Sequence, residues 1–170
     1  MYEYSSVPLG SLKDWFILND NVMGGVSEGD VSTQDDTILF KGNILDENNG
    51  GFASIRKRIS PVLSGVGYAG MYLDVCCNDV SGHSMYFMVK DDKCVQSDGV
   101  NYRAKIDSFV VGGEKTRVHI PFANFKAERR GRLIPDFPTL DVTAIEEISL
   151  MIGKPIGAFS ISIHQIGLYC

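Results

Sequence analysis

Apolar side chains in this chain recur at every second position, not at every third or fourth. In Tyr102–Ser108, positions 102, 104 and 106 make one apolar face and the charged residues make the other. Val118, Ile120 and Phe122 share a face, and so do Ile148, Leu150 and Ile152. Ala69, Met71, Leu73 and Val75 form a further stripe, with Tyr72 on its reverse side pointing to burial on both faces. A period of two belongs to strands whose two faces meet different surroundings. Near the end, Phe159, Ile161 and Ile163 line up, and then Ile166 and Leu168 continue out of phase. One extra residue at His164 or Gln165 explains that slip, which predicts a β-bulge there.

About eight strands follow from this pattern, near 37–44, 52–59, 68–77, 84–90, 101–110, 116–122, 144–153 and 158–169. The gaps carry turn signals: Asn49-Gly50-Gly51, Ser81-Gly82, Asp98-Gly99 and Gly112-Gly113. No segment sustains an amphipathic helix, and 11–19 and 123–128 have room for a short turn each. Many strands with few helices predict an all-β fold, a jelly-roll β-sandwich. The 170 residues fit one domain spanning 1–170. With 44% hydrophobic and 22% charged residues the chain has the material for a core.

The net charge of -5 argues against a dedicated nucleic-acid binder, which needs a basic surface. No apolar run approaches the roughly 20 residues of a membrane helix, so no membrane insertion is expected. The opening MYEYSSVPLG has no basic region and no apolar stretch like those of a signal or transit peptide. A cytoplasmic setting is therefore expected, or a mitochondrial one if a presequence has been removed. Cys76, Cys77, Cys94 and Cys170 contain no C-x-x-C pair, and adjacent strand cysteines point to opposite faces. Free thiols are expected.

Two segments stand out. The first is Trp15 to Ser27, in which Asp20 and Met23 precede the pair Gly24-Gly25, followed by Ser27. A glycine pair lets the backbone turn tightly or come close to another chain. The second is Asn49-Gly50-Gly51 followed by an alternating strand that carries the outward-pointing Arg56. Arg56 offers a planar, charge-assisted contact, either to a partner carboxylate or to the 20–27 loop of its own chain. From the residues alone, structural turns are the plainer reading of both segments. Lys126, Arg129, Arg130 and Arg132 form a small basic cluster, which reads as a solvated loop face or as a contact for an anionic partner.

The runs N-D-N-V-M-G-G-V-S and N-G-G-F-A-S-I-R resemble the complex I intermediate-associated protein 30 family. So do I-P-F-A-N-F with R-G-R, and I-S-L-M-I-G followed by F-S-I-S-I-H-Q-I. The resemblance runs from about Trp15 to Tyr169. It implies a galactose-binding-like jelly roll and a non-catalytic role as an assembly factor or chaperone for a multi-subunit, respiratory-type complex, with a protein partner. On that reading the partner-binding residues are Asp20, Met23, Gly24, Gly25, Ser27, Asn49, Gly50, Gly51 and Arg56, joined by Arg130 and Arg132 of the basic cluster. His83-Ser84-Met85-Tyr86 departs from the family, many of whose members carry a Gly-Asp-Gly-Arg-like turn before that Tyr.

Other signals carry less. Gly65 to Gly70 fits G-x-G-x-x-G, but a strand follows where a nucleotide site needs a helix N-terminus. His83, His119 and His164 lack metal spacing, and no G-x-S-x-G or D-x-D-x-D-G run occurs. No catalytic residue, metal or cofactor is therefore assigned. The second functional reading is a carbohydrate-binding module. Its platform would be Trp15 or the exposed tyrosines Tyr2 and Tyr4, while Tyr72, Tyr86 and Tyr102 read as core.

Overall fold

The computed structural model describes residues 1–19, 28–45, 51–79, 82–107 and 112–170. The strands are β1 (Tyr4–Val7), β2 (Trp15–Asn19), β3 (Glu28–Gln34), β4 (Thr37–Ile44), β5 (Ala53–Leu63), β6 (Gly70–Asp79) and β7 (Met85–Lys90). They continue as β8 (Val100–Lys105), β9 (Lys115–Pro121), β10 (Lys126–Arg129), β11 (Arg132–Leu133), β12 (Ile145–Ile152) and β13 (Gly157–Tyr169). A short helix, α1 (Asp92–Gln96), follows β7. One sheet has the order β3-β4-β13-β6-β9, with β1 added along β13. The other has the order β11-β10-β8-β7-β12-β5-β2. Every strand pairing among the described residues is antiparallel.

The alternating stripes meet between the two sheets. Phe40, Leu73, Val75, Ile161 and Ile163 come from one sheet, and Ile55, Phe87, Ala104, Leu150 and Ile152 from the other, into one buried cluster. Phe40 and Phe159 touch edge to face with ring centroids 4.8 Å apart. The expected bulge lies on β13, where the register against β6 shifts between Ile163 and Gln165. It brings Ile166 and Leu168 back to the core face that Ile161 and Ile163 occupy.

The strands that periodicity missed are β1, β2, β3, β10 and β11. In 11–19 the expected turn is present at Leu12–Asp14, but it leads directly into β2. Likewise 123–128 combines the turn at Phe122–Asn124 with β10. Helix α1 is capped by the fully buried Asp91, whose carboxylate accepts from the Cys94 N–H, the Asp141 N–H and Lys93 Nζ. Burial alone would raise the Asp91 pKa. The Lys93 ammonium and the two N–H groups outweigh it and hold the carboxyl below its ordinary value.

β1 is fixed by its side chains as well as by its ladder. The Arg117 guanidinium lies over the rings of Tyr4 and Tyr72, 4.3 Å and 4.4 Å from their centroids. The same guanidinium donates twice to Asp74, at 2.7 Å each. His119 is hydrogen-bonded to the Tyr4 hydroxyl at 2.9 Å. Glu3 and Cys170 exchange backbone hydrogen bonds in both directions, each 3.0 Å long.

All four cysteines are free thiols, with Cys76, Cys77 and Cys94 buried and Cys170 exposed. Burial pushes Cys77 up to about 11 and Cys94 up to about 12. An alkylating reagent near neutral pH should therefore modify Cys170 in the folded chain. Modification of Cys77 or Cys94 before unfolding, read by peptide mass mapping, would contradict this packing. In the core, Phe40→Ala should cost about 3–5 kcal/mol by urea unfolding. Val66→Ala, at an exposed position, should stay within about 0.5 kcal/mol.

Candidate binding cleft

Strand alternation gives the seven-stranded sheet an inner face in the core and an outer face away from it. The register aligns the outer-face side chains in rows. One row runs Phe16, Arg56, Ser149, Met88, Arg103 and Lys126. A second runs Leu18, Ser54, Met151, Tyr86 and Lys105. In a third, Glu147 stands between Arg58 and Lys90.

Several of these outer-face residues are buried, among them Ser54, Met88, Asn101, Glu128, Glu147 and Ser149. They line or adjoin a cleft of about 540 Å³ bounded by Leu18, Phe52, Arg56, Asn101, Arg130 and Met151. A second hollow of about 490 Å³ shares Lys90 with the first, has Glu147 in its lining and extends to Pro61, Val62 and Val95. The two form one groove with apolar walls at each end and charges between.

Glu147 is the centre of that charge. Its carboxylate lies 3.6 Å from Arg56 Nη1 and 3.7 Å from Lys90 Nζ. The Arg56 and Glu147 side chains are 13% and 11% exposed, so water screens the pair weakly. Burial lowers the pKa of Arg56, and Glu147 and Glu128 oppose that shift. Buried Arg56 Nε, Asn101 Oδ1 and Glu147 Oε2 have no hydrogen-bond partner among the described residues. Buried polar atoms are nearly always partnered, so three open ones along two adjoining hollows are unusual. Glu128 differs: it accepts from the Gly131 N–H at 2.6 Å and from Asn101 Nδ2 at 3.5 Å, which ties it to the β10–β11 turn.

Of the residues singled out from sequence, Arg56 and Arg130 line this cleft. Arg132 is exposed on β11, at the same sheet edge as Arg130. Gly51 is buried at a φ of 126°, which L-residues rarely adopt, and a Cβ there would press on the Lys154 side chain. That gives Gly51 a structural reason of its own. Asp20, Met23, Gly24, Gly25, Ser27, Asn49 and Gly50 lie outside the described residues, and so does the expected contact between Arg56 and the 20–27 loop.

Two aromatic expectations are corrected. Trp15 is 5% exposed, with its indole N–H donating to the Leu9 carbonyl at 2.8 Å, so it offers no flat surface to a sugar. Tyr86 is not a core residue: it stands on the outer face with the Arg103 guanidinium 4.7 Å from its ring centroid. Sequence reasoning missed Glu147, Asn101 and Lys90. The available signal was Glu147 and Ser149 alternating with apolar neighbours on a strand buried on both faces.

Among the described residues no group of three or more His, Cys, Asp or Glu is placed to share a metal ion. No helix among them is long and apolar enough to cross a membrane.

The chain matches, over residues 3–163, the family model of complex I intermediate-associated protein 30 (CIA30). No curated protein matches it in sequence. Similar solved structures include the family 11 carbohydrate-binding module of the cellulosomal cellulase Lic26A-Cel5E of Clostridium thermocellum. The TM-score is 0.66 at 13% identity, covering 97% of this chain and 94% of that one. A family 30 carbohydrate-binding module gives a TM-score of 0.52 at 13% identity, covering 85% of this chain and 74% of the other. The agarase AgWH50C gives 0.60 at 9% identity, with 96% of this chain matching 25% of the enzyme. At such identities the likeness shows the shared sandwich fold alone.

A double-mutant cycle tests the charge centre. Glu147→Gln and Arg56→Met should each cost about 1–3 kcal/mol, because each strands a buried polar partner. The double variant Arg56→Met/Glu147→Met should cost clearly less than the sum. Additive losses in urea unfolding would mean the two side chains are not coupled.

Proposed function

The chain belongs to the complex I intermediate-associated protein 30 family, and on that premise we propose that it is a non-catalytic binding module. Its task on this reading is to hold a protein partner, as an assembly factor or chaperone for a multi-subunit complex of respiratory type. The observation that carries the reading is the cleft. Open hydrogen-bonding atoms of Arg56, Asn101 and Glu147 sit beside apolar side chains, a combination suited to a partner that brings both. Arg130 in its lining and Arg132 on the neighbouring β11 supply residues of a type enriched at binding hot spots. The glycine loops, with Asp20, Met23, Gly24, Gly25, Ser27, Asn49, Gly50 and Gly51, are proposed as further partner contacts on the strength of the family motifs.

A second reading is carbohydrate binding. Arg56 donates while Asn101 Oδ1 and Glu147 Oε2 accept, and sugar hydroxyls complement both roles. The likeness to carbohydrate-binding modules, one of them in complex with a β-1,3-1,4-mixed-linked tetrasaccharide, supports the same idea at the level of fold.

The deciding experiment is an affinity capture from the native cell after crosslinking, read by mass spectrometry. The control is a folded Arg130→Ala/Arg132→Ala variant. Subunits of one membrane complex should be enriched by the wild type and reduced by the variant. Absence of any specific protein, together with a melting-temperature rise on adding a mixed-linked β-glucan oligosaccharide, would replace the first reading with the second.

A further inference from the structure

The outer face of the seven-stranded sheet is electrostatically lopsided. Its strand positions carry Arg56, Arg58, Lys90, Arg103, Lys105 and Lys126 against the carboxylates Glu128 and Glu147. The chain as a whole has net charge -5. Other acidic side chains, Glu28 and Asp30 for example, are on β3, the edge of the other sheet.

Asp98 lines the first hollow and Glu146 the second, so the groove holds four carboxylates in all; the two on the strand rows lie against neighbours. Glu128 is tied to Gly131 and Asn101, and Glu147 lies against Arg56 and Lys90. The cations are not matched in the same way. Arg58, Lys126, Arg130 and Arg132 are exposed and make no ion pair among the described residues. Arg103 is held upright against Tyr86, which fixes its guanidinium without neutralising it. The surplus on this face is thus positive and open.

We propose that this face receives an acidic polypeptide segment of the partner, one that carries apolar anchors between its carboxylates. This inference rests on the protein-binding reading above and adds the chemistry and the surface. The groove is long, since its two hollows of about 540 Å³ and about 490 Å³ adjoin at Lys90, which lines both. Leu18, Phe52, Met88 and Met151 wall one end, and Ile59, Pro61, Val62 and Val95 wall the other. Val62 and Val95 are exposed large apolar residues, a state that a covering partner would relieve. Aspartates and glutamates of the segment meet the cation belt, and its apolar side chains enter the hollows. A nucleic acid brings the negative charge but lacks apolar side chains at that spacing, and the net charge of the chain repels it at long range.

The test uses the full chain and a fluorescent peptide rich in Asp and Glu with two Leu residues. Its counterpart has Asn and Gln at the acidic positions. Fluorescence anisotropy should give the acidic peptide an affinity at least about tenfold higher than its amide counterpart at low salt, with the advantage shrinking as salt is added. The variant Arg58→Glu/Lys126→Glu/Arg130→Glu should lose that advantage. The matched variant Lys41→Glu/Lys115→Glu/Lys154→Glu, with exposed positions off this face, should keep it. Circular dichroism and melting temperature establish that both variants fold. Zero-length carbodiimide coupling should join Lys105 or Lys126 to peptide carboxylates.

Equal binding of the two peptides, equal loss in the two variants, or coupling confined to lysines off this face would overturn the proposal. A mixed-linked β-glucan tetrasaccharide that binds the wild type and the charge-reversed face alike, with no acidic-peptide preference, would assign the groove to a neutral saccharide and overturn it as well. If cell capture finds a protein partner while the acidic peptide fails, this inference falls and the binding-module reading stands. If capture finds none, the reading on which it rests falls too.

Discussion

Strand β13 is the member on which the six-stranded sheet depends. Its first half, Gly157–Ile163, pairs with β4, and its last residues, from Ile166 to Tyr169, pair with β1. Throughout most of its length it also pairs with β6. The bulge between Ile163 and Gln165 falls where one neighbour hands over to the other. Without the extra residue, Ile166 and Leu168 would turn away from the core that Ile161 and Ile163 fill. One inserted residue thus keeps a thirteen-residue strand facing the same interior while its partner changes.

The other sheet lives under a different constraint. Its inner face is closed by the same core, but its outer face carries charge in a half-enclosed setting. Charge there is tolerated because Arg56, Glu147 and Lys90 offset one another at 3.6–3.7 Å. Taking such groups from water has a large cost, and partial pairing returns a fraction of it. A partner that completes the hydrogen bonds would recover more. This is the physical sense in which the face is unfinished, and it holds whether the partner is a polypeptide or a glycan.

Periodicity made the sandwich legible because most strands bury one face. It failed where neither face or both faces give contrast. β3, Glu28–Gln34, is an edge strand with no fully buried side chain, so its sequence alternates weakly. β2 reads Trp-Phe-Ile-Leu-Asn, apolar on consecutive positions, because Trp15 and Ile17 meet the core cluster while Phe16 and Leu18 face outward by the cleft. β10 and β11 are too short to show any period. The lining of the candidate cleft was legible at Arg56 and Arg130, and its neighbour Glu147 was hidden. A salt bridge between β5 and β12 joins residues ninety-one positions apart (147 − 56), and no local pattern announces it. Trp15 misled for a related reason: indole burial depends on the Leu9 carbonyl, which is a matter of tertiary contact.

The reciprocal bonds between Glu3 and Cys170 have an architectural consequence. Both ends of the described chain sit side by side in the six-stranded layer, next to β1 and β13, while the cleft opens on the opposite layer. Any sequence joined at either end enters and leaves through one doorway on the far side from the groove. The sandwich is wired like a plug-in cartridge: it can be spliced into, tethered to or displayed on a larger assembly with the groove turned outward.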